Sequence, residues 1–526
     1  MRPVATQSDI NVKEAFRLQE QVRLDLLKSP AERNELGQFA TPPDLATELA
    51  EYVARLWNNR TEKVRFLDPA IGTGSFFSAL QRVGKSGWVE AAMGIELDSS
   101  FAETATRLWQ STGLKIVAGD FTRLTPPARE DRPNLILTNP PYVRHHHLSQ
   151  AEKLRLKTLA ISIVEREVSG LTGLYCYFIF LAHNWLRENG LGVWLIPSEF
   201  MDVNYGRELQ YYLSNKVTLL HIHQFDPTDV QFDDALVSSA VVVYKKAKPT
   251  DGHTVKFSFG GSLLRPEFEH LVPLARVIKT RKWSALVQPE RQVAEPQSDI
   301  TLSSLFVVKR GIATGANNFF ILPRDKAANL GIKQDFLKPI LPSSRQLHHS
   351  IILSDYDGYP TVEKQLVLID SYLSERDLKS ACPALWSYLK QGEANGIRDL
   401  YLVARRTPWY RQEHREPAPF LCTYMGRLGR SQNPFRFFWN QSRAIATNVY
   451  LLLYPVGPLK AELARKPTLL KKTLELLQAI EPRALVHEGR VYGGGLHKLE
   501  PSEFGRLDAK PFLDHLGVQI QPKLFA

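Results

Sequence analysis

The chain has 526 residues, 44% of them hydrophobic and 23% charged, with a formal net charge of +11 and a pI of about 9.3. This is an ordinary globular composition too long for one core, so two or three domains are expected; no apolar run approaches the ~20 residues that span a bilayer, and the opening MRPVATQSDINVKEAF lacks the apolar core of a secretory leader. Cys176, Cys382 and Cys422 lie far apart with no CxxC pair, which argues against a disulfide framework or structural zinc and fits a reducing cytoplasm, while the basic balance suits a polyanionic partner such as nucleic acid or simply a basic enzyme.

In chain order, residues 11–33 carry Glu, Arg, Gln and Leu at helical spacing, and 1–36 read as an N-terminal helical segment. From 64 to 245 short apolar runs alternate with amphipathic stretches: VRFLD, AAMGIEL, LKIVAGD, NLILTNPP, LGVWLIP, VTLLHIHQF and SSAVVVYKK. That rhythm predicts an α/β domain over 37–246 with a largely parallel sheet. Residues 247–300 turn Pro-, Gly- and charge-rich and read as a connecting segment; over 301–526 the rhythm is lost and aromatics interleave with arginines.

VRFLDPAIGTGSFFSAL, residues 64–80, reads as a strand ending in Asp68, a turn through Gly72 and Gly74, and a helix. Glycines there let the backbone approach a ligand at the carboxyl edge of a sheet. The spacing is neither GxGxxG nor GxxxxGK[ST], so a pyrophosphate cradle is not expected. The next strand ends in Glu96, placed to accept from ribose hydroxyls, and the third in Asp120-Phe121, an acceptor for an exocyclic amine beside a ring for a purine. Singly, each acid is more readily a solvated strand-end or helix-capping carboxylate. Three in order describe an adenosine pocket that suits S-adenosylmethionine better than NAD or ATP.

The fourth strand delivers Asn139-Pro140-Pro141-Tyr142 to the same edge. The prolines stiffen the backbone and remove two donors. The Asn139 side-chain oxygen and the Pro140 carbonyl form a pair of acceptors for one NH2 group, pulling it toward tetrahedral geometry, and Tyr142 offers a ring for stacking. The neighbouring His145-His146-His147 run lacks metal-site spacing, and no metal is expected.

This ordered set resembles the amino-group DNA methyltransferases of the gamma, TaqI-like, adenine-N6 class. GQFATPPDLATEL (37–49) looks like motif X, DPAIGTGSFF like motif I, GIELD like motif II, GDF like motif III and NPPY like motif IV. GLYCYFIFLAHNWLRENGLGVWLIP resembles motifs V and VI, and VQFDDALVSSAVVVYK motif VIII. The resemblance implies a Rossmann-like S-adenosylmethionine-dependent domain with a mixed, mostly parallel seven-stranded sheet, followed by a mixed α+β target recognition domain. It gives Thr41 to the methionine end of the cofactor and Phe178 to its adenine; Ala70, Leu97, Asn139 and Pro141 join the cofactor contacts, and Phe232 stacks on the target base opposite Tyr142. Ile71 and Thr73 depart from the commoner motif I pattern.

The reaction so implied is methyl transfer to N6 of an adenine turned out of double-stranded DNA, direct and in line, without a covalent enzyme intermediate, leaving S-adenosylhomocysteine. No cysteine follows a proline, against cytosine-C5 chemistry. Expected DNA contacts are Arg144, His145 and His146 beside the tetrad, then Arg405, Arg406, Trp409, Tyr410 and Arg411, and Arg427 and Arg430. The chain is expected to act as a cytoplasmic monomer, any cognate restriction endonuclease being a separate protein. Rival readings are an NPPY methyltransferase acting on RNA (guanine N2 or adenine N6) or on a protein glutamine, and a non-catalytic DNA-binding modification subunit.

Overall fold

Short apolar runs become strands where polar turns bound them: β1 (Val64–Asp68), β2 (Val89–Glu96), β3 (Leu114–Ala118), β4 (Leu135–Thr138) and β5 (Leu191–Pro197). The computed structural model describes residues 7–519 apart from 59, 86, 228, 230, 232–237, 288–299, 429–432 and 493–494. The chain divides into two units, Met1–Gln292 with Tyr492–Gly494, and Val293–Val491 with Gly495–Ala526.

In the first unit β6 (Thr218–Gln224), β7 (Ser239–Lys245), β8 (Thr254–Gly261) and β9 (Pro266–Pro273) complete a nine-stranded sheet ordered β3-β2-β1-β4-β5-β7-β6-β8-β9. Strands β1 to β5 are parallel, and β7 enters antiparallel between β5 and β6. The sheet therefore exceeds the seven strands expected. Residues 254–273, expected to connect domains, instead pair as β8 and β9 on its edge. Val255, Phe257 and Val272 are buried there, so apolar alternation outweighs the flanking Pro and Gly.

Both faces of the sheet are covered, and alternate residues serve opposite cores. Leu135 and Leu137 join Phe66, Leu191 and Val193 beneath α3 (Pro43–Trp57), α4 (Ser75–Val83) and α5 (Ser99–Trp109). Ile136 joins Leu67, Trp194 and Ile196 beneath α6 (Gln150–Val164) and α7 (Leu174–Trp185). Ahead of these lie α1 (Gln7–Asp25) and the capped turn α2 (Pro30–Leu36). Among the described side chains of α1, Ile10 and Leu24 are buried with Glu14 and Arg17, so the helix docks largely through charge.

The second unit holds a five-stranded sheet of Phe306–Arg310, Tyr450–Pro455, Phe420–Thr423, Phe437–Asn440 and Ile351–Ile352, in that order. A three-stranded sheet is formed by Ile321–Pro323, Leu366–Ile369 and Leu337–Ile340. Among the described residues no helix is long and apolar enough to cross a membrane.

At its second glycine the motif I turn is constrained by close packing. Gly74 has φ +93°, and a Cβ there would lie 2.5 Å from the Trp109 indole nitrogen. Gly74→Ala is expected to cost roughly 1–3 kcal/mol of stability, read from the denaturant midpoint.

Candidate active site

Parallel strands leave their last residues at one edge, and the site is assembled there. Asp68, at the end of β1, is buried; its Oδ1 accepts from the Ala70 backbone N–H (3.0 Å) and from the Thr138 hydroxyl (2.6 Å). Thr138 precedes Asn139, so this carboxylate joins the motif I turn to the tetrad. Burial, reinforced by the Glu96 charge and opposed by the Thr138 and Ala70 hydrogen bonds, pushes the Asp68 carboxyl up to about 7.

Glu96 accepts from the Gly72 N–H and from the Asp98 N–H, each at 2.9 Å; burial raises its carboxyl despite those bonds. Asp120 accepts from the Thr122 N–H and hydroxyl, and the guanidinium of Arg123 lies 3.2 Å from its other oxygen. Phe121 packs on Phe178, with ring centroids 5.1 Å apart.

The tetrad is clasped from the 37–41 segment. Asn139 Nδ2 donates to the Phe39 carbonyl (3.1 Å) and the Thr41 hydroxyl (3.2 Å), while Asn139 Oδ1 is buried without a hydrogen-bond partner. The Tyr142 N–H donates to the Gly37 carbonyl (3.1 Å). Gly37 has φ +64°, and a Cβ on it would lie 2.5 Å from the Tyr142 nitrogen. The ring of Tyr142 is 7% exposed, packs near Phe39 and Tyr175, and its hydroxyl donates to the Leu195 carbonyl.

A cavity of about 820 Å³ lies beside these groups. Thr41, Asp68, Ala70, Gly72, Glu96, Leu97, Asp120, Phe121, Asn139, Pro141 and Phe178 line it, as the sequence leads one to expect. Gly74, Pro140 and Tyr142 are not among the lining residues: Gly74 meets Trp109 instead, and Pro140 and Tyr142 are buried. Residues not foreseen on the wall include Gln21, Lys28, Phe39 and Phe101. Of these, Phe39 lies within the motif X-like segment 37–49, which is the signal that could have found it. The departures from the usual motif I are accommodated locally. Ile71 fills the space over Gly94, where a Cβ would lie 2.2 Å from its Cδ1.

The histidines form a short 3-10 turn, His145–His147, in which His147 lines the cavity and Arg144 is exposed. Burial, aided by Lys153 and Arg144, lowers the imidazole pKa of His145. Phe232 and Arg430 lie outside the described residues. In the second unit Trp409 and Tyr410 are 5% and 0% exposed within an apolar cluster, which corrects their assignment to a DNA-facing surface. Arg406 is half-buried and donates to the Ala313 carbonyl and Gln412 Oε1, a bracing role. Arg405, Arg411 and Arg427 are exposed, the first two over the rings of Tyr401 and Tyr372.

Strand order and the acid-tipped edge beside the cavity give the fold of Rossmann-like S-adenosylmethionine-dependent methyltransferases, followed by a second unit. Residues 108–231 match the family described as Eco57I restriction-modification methylase, and residues 284–519 match that described as Type II methyltransferase M.Eco57I, C-terminal domain. Over these two spans the chain is similar to type II restriction–modification methylases. Type II methyltransferase M.AccI of Acinetobacter calcoaceticus is 26% identical over 495 residues, 90% of this chain and 85% of its own. Type II methyltransferase M.XamI of Xanthomonas campestris pv. amaranthicola is 25% identical over 498 residues, 91% and 86% of the two chains. The solved type IIL restriction-modification enzyme MmeI, in complex with DNA, shares the fold with a TM-score of 0.51 at 12% identity. That likeness covers 82% of this chain and 64%, less than two thirds, of the other.

The state of Asp68 makes a pH prediction. The folded chain retains a proton that the unfolded chain releases above pH 3.8, so the carboxyl's contribution to stability is lost as pH rises from 3.8 toward about 7. Without cofactor, Asp68→Asn is expected to flatten this part of the stability profile, measured by chemical denaturation across the window.

Proposed function

We propose that this chain transfers a methyl group from S-adenosylmethionine to the exocyclic N6 of adenine in double-stranded DNA. On this reading it is the modification enzyme of a type II system, of the gamma kind. The names of its relatives, Type II methyltransferases, support the DNA methylation part of the reading. The observation that carries the choice of an amine acceptor is Asn139. Its amide nitrogen is committed to Phe39 and Thr41, which sets the rotamer and leaves Oδ1 as a buried acceptor with no partner. A buried acceptor without a donor is costly, and an incoming NH2 group removes that cost. The Pro140 carbonyl is the second acceptor, and Pro141 brings no competing N–H.

An exocyclic amine conjugated with its ring is a poor nucleophile. Two acceptors on its hydrogens draw it toward tetrahedral geometry and free its lone pair, so the chain's contribution is orientation and electrostatic preorganisation. When bound, the cofactor would supply an electrophilic methyl on a sulfonium; the C–S electron pair would stay with sulfur as the N–C bond forms, and the amine's surplus proton would pass to solvent. Glu96 would hold the ribose hydroxyls, Asp120 the exocyclic amine of the cofactor purine, and the packed pair Phe121 and Phe178 would form an aromatic wall beside its ring. The acid-lined cavity, with Phe121 and Phe178 on its wall, fits that group.

A pocket at a sheet edge takes only a nucleotide turned out of the helix, at a cost of a few kcal/mol. Tyr142 would stack on that base by exchanging part of its contact with Phe39 and Tyr175; Phe232 as the opposite ring rests on the motif resemblance. The exposed Arg144, Arg405, Arg411 and Arg427 would neutralise phosphates, giving binding that weakens steeply with salt.

Expression in a methylation-free bacterial host, followed by single-molecule sequencing, is expected to reveal N6-methyladenine at one defined motif. Its absence, with folded and cofactor-binding protein, overturns the reading. Asn139→Ala is expected to lower the transfer rate at least ~100-fold while leaving S-adenosylmethionine affinity within about threefold. Loss of cofactor binding instead would contradict the acceptor role.

A further inference from the structure

The N-terminal helix makes contacts that neither the sheet nor the tetrad requires. Arg17 is 2% exposed and pairs bidentately with Glu14 at 2.7 and 2.8 Å. Its remaining nitrogen, Nη1, donates to the hydroxyl of Thr73 (3.0 Å), and that hydroxyl donates to Gln21 Oε1 (2.7 Å). From the opposite side the Trp109 indole N–H donates to the Thr73 carbonyl (2.8 Å).

Thr73 lies between Gly72 and Gly74, both at positive φ, +55° and +93°. Glycines impose little conformational preference, so the anchors on Thr73 decide the shape of the turn. That shape reaches the ligand-binding atoms, because the Gly72 N–H donates to Glu96. Gln21 and Thr73 both line the cavity. A helix serving stability alone docks better through an apolar stripe than through a buried ion pair. The buried pair instead holds one hydroxyl in one place.

We propose that α1 is part of the cofactor site, with Arg17 and Gln21 as positioning residues. By gripping the Thr73 hydroxyl they set the Gly72–Gly74 turn, orient Glu96 and so determine cofactor affinity. Thr73, a departure from the motif, and the polar helix ahead of it form one device. This inference rests on the reading of the cavity as an S-adenosylmethionine site.

The test is calorimetric titration of the full chain with S-adenosylmethionine, alongside thermal unfolding of each variant. Thr73→Val, which keeps the shape and removes the hydroxyl, is expected to weaken binding roughly tenfold, and Thr73→Ser to restore it. Gln21→Ala, which leaves the Arg17–Glu14 pair intact, is expected to weaken binding severalfold on its own and to have no further effect in the Thr73→Val background. A purely structural helix would shift unfolding without this affinity pattern. Wild-type affinity in folded Thr73→Val and Gln21→Ala overturns the inference alone. Should Thr73→Val not fold, Gln21→Ala decides by itself, and unchanged affinity overturns it. Failure of the unaltered chain to bind overturns the reading of the cavity and this inference with it.

Discussion

A single buried carboxylate ties the two halves of the site together. Asp68 sits where β1 ends and holds the start of the glycine turn through Ala70 and the end of β4 through Thr138. Adjacent parallel strands bring the two segments close; the hydrogen bonds set their spacing. The carboxyl tolerates burial because it can hold a proton into the neutral range. The turn on one side and the Asn139 loop on the other both start from this pair of bonds.

The tetrad is then held from a second direction. Segment 37–41 supplies two acceptors to the Asn139 amide and one to the Tyr142 N–H, and Gly37 permits the close approach. The effect is asymmetric: one end of the Asn139 amide is saturated, the other left unsatisfied. Unsatisfied buried polar atoms are uncommon and costly in folded proteins. Here the cost lies beside a cavity and next to prolines that cannot supply a donor, which is why the asymmetry reads as readiness for an amine.

Much of this was legible in the residues. The strand ends at Asp68, Glu96, Asp120 and Asn139 follow from short apolar runs cut off by polar residues, and eleven of the residues expected to bind cofactor line the cavity. Other readings failed for particular reasons. Residues 254–273 look like a linker because Pro and Gly flank them, yet their alternating Val255 and Phe257 find an open sheet edge beside β6. Trp409 and Tyr410 sit among arginines in sequence, which suggested a surface, but an apolar cluster takes their rings inside.

What the sequence determined by itself was the order of chemical groups along one sheet edge: a glycine turn, three acids and an Asn-Pro-Pro-Tyr loop. Local periodicity sets where strands stop, and that is a property of near neighbours in the chain. Only the tertiary structure decided which groups touch. The Phe39 carbonyl and the Asn139 amide are 100 positions apart, and Arg17 and Thr73 are 56. Such contacts depend on how helices pack against the sheet edge, information spread over the whole first unit. The freedom of one amide oxygen, and the attachment of a polar helix to a glycine turn, follow from that packing and leave no periodic mark in the sequence.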